Sequence, residues 1–378
     1  MEESINIHDL IEALMDTEKQ FPPKLLYHFS DLSRQDQETL ATAWMAIPLK
    51  RRQTFLQDLI SFAENDPILM YENVARIALE DDDPEVQISA VDLLFEDDDK
   101  RLIPVYLAAL NNLEKDDAVR AAVANALGPF VCLGEYEKLA PEVLNEIEES
   151  LLKAYYEDKS DLVRRRALEA MGYSSRDEVT GIMRKAAVMD DELWLESAMF
   201  AMGRSADEQW APTILENLDH ENLAVRIQAV HAAGELALEK ARGYLLKSLD
   251  SITDETLLQE TVWALAVIGG ETVERKLEAL LASSEDEEEI NFLEEALELL
   301  NFTNGGDGMD LFSLNPELGK PDAGEGYTRD TESGDEDDEY LNRDDFNIEE
   351  WQRYISDDDD YEDTDEFSLG DFDEDRFG

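Results

Sequence analysis

The chain holds one cysteine, Cys132, and four histidines, His8, His28, His220 and His231, among 378 residues. A single thiol excludes a disulfide framework and fits a reducing compartment, so a cytoplasmic location is expected. Cys132 sits in the apolar run Phe130-Val131-Cys132-Leu133, where a buried and inert thiol is the ordinary outcome. Basic residues are scarce as well, 32 Lys and Arg against 92 Asp and Glu, for a net charge of −60. Such a surface repels phosphate, so neither nucleic acid nor a membrane is an expected partner, and a basic protein is. No apolar run approaches the roughly 18 residues that could span a bilayer. Met1-Glu2-Glu3-Ser4 lacks the basic start and apolar core of a signal peptide, so no leader is expected. Neither Gly-x-x-x-x-Gly-Lys-Ser/Thr nor Gly-x-Ser-x-Gly occurs, and Asp357 to Asp360 lacks the glycine turn of a calcium loop. No catalytic residue, cofactor site or metal site is expected.

What is present is repetition. The stretches Ser160 to Gly172, Asp191 to Gly203 and Asn222 to Gly234 are three copies of one pattern with a period of 31 residues. Aligned on Val163, Trp194 and Val225, they place Ala167, Ala198 and Ala229 four residues on, and Gly172, Gly203 and Gly234 nine residues on. A fixed period of this size marks stacked supersecondary units, each too small to bury its own apolar face. In each copy a short polar residue is placed to cap a helix, and apolar residues such as Val163, Ala167, Ala170 and Met171 form one stripe along it. The glycine is expected to end that helix in the left-handed conformation.

Along the chain, residues 1–80 read as helical but off-period, an atypical N-terminal cap for the stack. Residues 81–302 carry the repeats, opening at Asp82-Asp83-Pro84-Glu85-Val86 and continuing at Asp117-Ala118-Val119-Arg120. From Val119 to Val163 the spacing is 44 residues, and the surplus is expected to lengthen one helix and its loop. After the three regular copies, Glu260-Thr261 stands where Val-Arg should be, and a last copy near Ile290 has Glu294, Glu295 and Glu298 on its outer side. Residues 303–378 change composition: from 301 on there are 28 acidic residues against five basic ones, with glycines and no sustained period, so a disordered acidic tail is expected. Within it Ile348, Trp351, Tyr354 and Ile355 could share a helical face.

The pattern at Asp117 to Val123 and at Asp161-Leu162-Val163-Arg164-Arg165-Arg166-Ala167 resembles the HEAT repeat. More narrowly it looks like the bacterial HEAT-like set that includes phycobilin lyases, over roughly residues 82–300. The resemblance implies an all-α fold, an α-solenoid of stacked helix pairs whose Val-Arg helices line the concave side. It also implies that Arg120, Arg164 and Arg226 belong to Asp–Arg ladders between repeats, with a break at Leu195. Another HEAT enzyme, deoxyhypusine hydroxylase, holds two irons through several His-Glu pairs; this chain has one such pair, His220-Glu221, better placed to serve a helix cap.

Positions three, six and ten residues into each Val-Arg helix should then face the groove. They give Arg166, Glu169 and Tyr173; Ser197, Phe200 and Arg204; Gln228, His231 and Glu235; then Trp263 and Ala266. Arginine mixed with aromatics is what recognition surfaces favour. The expected partner-binding residues are Arg166, Glu169, Tyr173, Phe200, Arg204, His231, Glu235 and Trp263, with Trp351 and Tyr354 in the tail. The expected function is a non-enzymatic scaffold for a basic protein partner. The alternative is a HEAT-like lyase or accessory enzyme acting on a protein-bound chromophore or cofactor. The tail has three open roles: capturing the partner, folding back on the groove, or solubilising only. Its landing place on the chain would be Arg164-Arg165-Arg166 with Arg184-Lys185.

Overall fold

The structure, a computed structural model, describes residues 5–303 apart from 67 and 285, with the backbone alone at 287 and 288. These residues belong to one compact unit, Met1–Pro316; the second unit, Glu317–Gly378, lies outside them. So do the expected tail from residue 304 on and its two site residues, Trp351 and Tyr354.

The described residues are all-α, with no strand among them. Helix α1 (Ile7–Met15), a 3-10 helix (Pro23–Phe29), α2 (Arg34–Trp44) and α3 (Leu49–Asn65) come first. The helix pairs follow: α4 (Glu72–Ala78) with α5 (Pro84–Leu93), then α6 (Leu102–Asn111) with α7 (Asp117–Ala126). Helix α8 (Gly128–Glu135) is inserted before α9 (Pro141–Glu157) and its partner α10 (Asp161–Ala170). Next are α11 (Asp177–Ala186) with α12 (Glu192–Arg204) and α13 (Ala211–Asn217) with α14 (Leu223–Glu235). The stack ends with α15 (Arg242–Ser248) and α16 (Glu255–Ile268), then α17 (Glu271–Ser283) and α18 (Glu287–Thr303). The surplus between Val119 and Val163 is thus a separate helix and not only a longer one.

The second helix of each pair starts where its cap says it should. Asp83, Asp116, Asp191, Asn222 and Asp254 accept hydrogen bonds from first-turn N–H groups that have no helical acceptor. Ser160 departs from this, its hydroxyl donating to Asp117 of the preceding repeat at 3.0 Å. Behind the caps, the stripe Val163, Ala167, Ala170, Met171 and its equivalents Trp194, Ala198, Ala201, Met202 are all buried.

Consecutive second helices, from α5 through α18, pack on one another along the whole stack, whereas close packing between consecutive first helices is confined to α2/α4 and α6/α9. A stack tighter in one layer than in the other bends toward the tight layer, so the second helices line the concave side. The glycines make that tightness possible. A Cβ on Gly172 would come within 2.8 Å of the Ala201 carbonyl oxygen, and one on Gly203 within 2.9 Å of the Ala232 Cα. Their expected role is corrected here: among the described glycines only Gly269 and Gly270 have positive φ, and α12 and α14 run on past Gly203 and Gly234. The left-handed residues beyond these two helices are alanines, Ala206 (φ 51°) and Ala237 (φ 45°). Small size is what the repeat selects at its glycine, because the next helix leaves no space for a side chain.

Charge ties some repeats together. Arg52 donates to the Ile47 carbonyl at 2.6 Å and to Asp81 at 3.1 Å, and Asp81 also accepts from the Trp44 indole at 2.7 Å. Arg120 donates to the Lys115 carbonyl and pairs with Asp158 at 3.0 Å. The implied ladder stops there. Arg164 pairs with Asp161 of its own helix and lies over Trp194, and Arg226 has no carboxylate partner among the described residues. The reason is local: Asp81 and Asp158 stand two residues before the next second helix's cap, and the matching positions ahead of Asp191 and Asp254 are Met189 and Ile252.

Two substitutions test this account. Gly203→Val should destabilise the protein by at least about 1–3 kcal/mol through overpacking against α14, read as a lower urea midpoint. Asp158→Ala should cost about 3–5 kcal/mol because it strands buried Arg120; an unchanged midpoint in either variant would contradict the packing described.

Candidate functional site

The 31-residue period places equivalent positions of successive second helices side by side on the concave layer. Six residues beyond the first buried residue of each helix, the row reads Glu169, Phe200, His231 and Trp263. Ten residues beyond it reads Tyr173, Arg204 and Glu235. Trp263 belongs to the first row because Leu257, three residues after the Asp254 cap, is the true counterpart of Val225. The copy read at Glu260-Thr261 was therefore three residues out of register. Correctly framed, Glu260 falls in the row of Arg166, Ser197 and Gln228, and it is a site residue the sequence reading passed over.

Aromatic and cationic groups alternate across the face. The His231 ring stacks near-parallel on Trp263 at 4.8 Å and on Phe200 at 6.2 Å, each with a 14° interplanar angle. The Arg204 guanidinium lies 4.0 Å from the Phe200 ring centroid and 5.0 Å from that of Tyr173. The result is a column, Tyr173, Arg204, Phe200, His231 and Trp263, crossing from the end of α10 to α16. All five are half-buried. Spacing on each helix explains it: Phe200 and Arg204, like His231 and Glu235, are four apart and share one side of their turn.

Carboxylates fix the imidazole. His231 Nδ1 lies 3.0 Å from Glu260 and Nε2 lies 3.3 Å from Glu235. Burial alone would push the His231 pKa down, but hydrogen bonds and attraction from Glu235 and Glu260 reverse this and raise it to about 9. At neutral pH His231 is a cation between two aromatic faces and two acids, and its hydrogen bond in turn lowers the Glu235 pKa. Arg204 is pulled the other way, its pKa lowered by burial, and its Nη1 is buried without an acceptor. Burial raises the Tyr173 hydroxyl, although Arg204 opposes it.

The remaining expected residues take different places. Glu169 is buried, accepts from Ser197 Oγ at 2.6 Å and pairs with Arg166, so it holds Arg166 and does not itself present a contact surface. Ser197 and Ala266 are buried as well. Arg166 stays half-exposed. Arg184 belongs to the other layer, on α11, where it lies over Trp210. Cys132, on the inserted α8, is half-exposed where burial was expected; its thiol is raised by burial, which Lys138 and Arg204 oppose. His220 does serve the cap, its Nδ1 accepting from Asn222 N–H at 3.1 Å. No group of three or more His, Cys, Asp or Glu arranged to hold a metal ion occurs among the described residues. No helix among them is long and apolar enough to cross a membrane.

Glu235→Gln with Glu260→Gln removes what raises the His231 pKa, so it should fall from about 9 to its ordinary 6.5 or below. A histidine NMR titration reads this directly, and a value still near 9 would contradict the arrangement. Because the folded pKa exceeds the unfolded one, the stabilisation from His231 is complete below about 6.5 and is lost as pH rises through about 9. Wild-type stability should therefore decline across that interval more than that of the double variant.

The HEAT repeat family matches residues 194–266 and 211–298, so this part of the chain is built of HEAT repeats. No curated protein matches the sequence. Among solved structures, the chain is similar to YibA of Escherichia coli at 16% identity and a TM-score of 0.36, covering 73% of this chain and 96% of that one. It is similar to human deoxyhypusine hydroxylase at 17% identity and a TM-score of 0.32, covering 78% and 96%. It is also similar to the CpcE–CpcF phycocyanin lyase complex of Nostoc sp. at 16% identity and a TM-score of 0.39, covering 61% and 94%. Likeness at this level carries nothing about activity.

Proposed function

We propose that the chain is a non-enzymatic scaffold that binds a basic protein partner on its concave layer, with the column from Tyr173 to Trp263 as the anchor. A stack of HEAT repeats supports protein interaction in general, because a curved series of helices offers an extended concave surface. The observation that carries the finer reading is the continuous column itself. Tyr, Trp and Arg, partly desolvated and held rigid by their neighbours, are the residue types that dominate interface energetics. They lose little side-chain freedom when a partner covers them, since stacking has already fixed them.

Charge selects the partner's sign. Arg204 and His231 lie among Glu169, Glu235 and Glu260, and the chain around them is strongly acidic at −60 overall. A basic protein is drawn toward this face, and steering of that kind weakens with salt. In this reading residues 1–80 shield one end of the stack, residues 81–302 form the binding solenoid, and residues 303–378 capture the same partner through Trp351 and Tyr354. The protein acts in the cytoplasm.

The test is capture from native lysate by full-length protein, Phe200→Ala/Trp263→Ala, and Trp351→Ala/Tyr354→Ala, at low and moderate salt. A basic protein held by wild type, released by salt and lost from the first double variant is the expected result. Retention by that variant but not by the second would move the site to the acidic segment. Retention of nothing by any form would remove the scaffold reading.

A further inference from the structure

On α7 and on α3 an arginine four residues beyond the residue that precedes the helix is fixed at both ends of its fork. Arg120 donates to the Lys115 carbonyl and to Asp158, which also accepts from Ser160 N–H at 2.8 Å. Arg52 repeats the arrangement with Ile47 and Asp81, the latter accepting from Asp83 N–H at 2.9 Å. Arg226 begins in the same way, its Nη1 donating to the His220 carbonyl at 2.9 Å. The rest of its fork finds no partner among the described residues: Ile252 occupies the carboxylate position, Nε is buried without an acceptor, and Nη2 donates to no described group.

Beside Arg226 is a cavity of about 260 Å³ between α14 and α16. Leu218, Val230, Ile252 and Leu257 give it apolar patches, beside the hydroxyl side chains of Ser248, Ser251, Thr253 and Thr261. Two carboxylates also line it, and both are engaged: Asp219 accepts from the Tyr244 hydroxyl at 3.2 Å, and Asp254 accepts from Leu257 N–H at 2.9 Å. A guanidinium whose Nε is buried without an acceptor is costly, and a planar carboxylate is the group that matches its fork. The two acids oppose a doubly charged anion such as phosphate more than a singly charged one. The volume lies below that of sites for drug-sized ligands, so the molecule is small.

We propose that this cavity binds a short-chain aliphatic monocarboxylate, its carboxylate replacing the missing ladder aspartate against Arg226 and its alkyl chain lying on Leu218, Val230, Ile252 and Leu257. This site is separate from the aromatic column and does not depend on what the column binds. The ligand completes between α14 and α16 the rung that Asp158 supplies to Arg120 from within the chain.

The experiment titrates the full-length protein with sodium butyrate by calorimetry and follows thermal melting, against sodium chloride and sodium phosphate at matched ionic strength. Butyrate should bind once per chain and raise the melting temperature where the other salts do not. Ile252→Asp supplies the rung internally and should abolish the butyrate response, while Arg226→Gln should weaken binding at least about tenfold. The proposal is overturned if butyrate acts no differently from chloride, if phosphate acts as well as butyrate, or if the Ile252→Asp protein still binds butyrate as wild type does. The aspartate variant keeps the test decisive should Arg226→Gln fail to fold.

Discussion

Everything on the concave layer depends on how closely its helices approach one another. At Gly172, Gly203 and Gly234 the neighbouring helix's backbone, at Ala201, Ala232 and Ala264, stands within 3.0 Å of where a Cβ would lie. That contact fixes spacing and lateral register together. Because register is fixed, residues one period apart end up abreast. Phe200, His231 and Trp263 stack only for this reason: no two of them are near in sequence, and none shares a helix with another.

Much of the fold was legible in the sequence because it follows from local rules repeated at a fixed interval. Cap, stripe and period each leave a mark that a single repeat length can carry. The glycines were found but misread, since size and left-handed conformation select the same residue and only a neighbour's position tells them apart. The register slip at α16 has a similar origin. With Leu258 where arginine stands in other copies, Ala264, Val267, Ile268 and Gly269 fit the repeat four, seven, eight and nine residues beyond Glu260, and the Asp254 cap separates the two frames.

The site divides in the same manner. Offsets alone brought Tyr173, Phe200, Arg204, His231 and Trp263 to one face, and the structure stacks them. Offsets could not tell an outward side chain from one folded under its neighbour, so Glu169 and Ser197 looked alike with Phe200 until burial separated them. Glu260 was missed because its meaning lies in a partner 29 residues away. The expected ladder failed at Arg226 for the opposite reason: the arginine is present, and the acceptor two residues before the next cap is not.

The ladder's distribution has a mechanical consequence. Buried ion pairs cross the junctions α3/α5 and α7/α10, and none of this kind crosses the junctions from α10 to α16. Each charged rung acts as a strut between repeats that could otherwise rock on their small-residue seam. The stack is braced by buried ion pairs toward one end and, toward the other, by contacts of another kind, Ser197 with Glu169 and His231 with Glu260. The aromatic column stands on the part without buried rungs, so there the side chains that face a partner are also the ones that tie successive helices together, and covering them stiffens the stack itself.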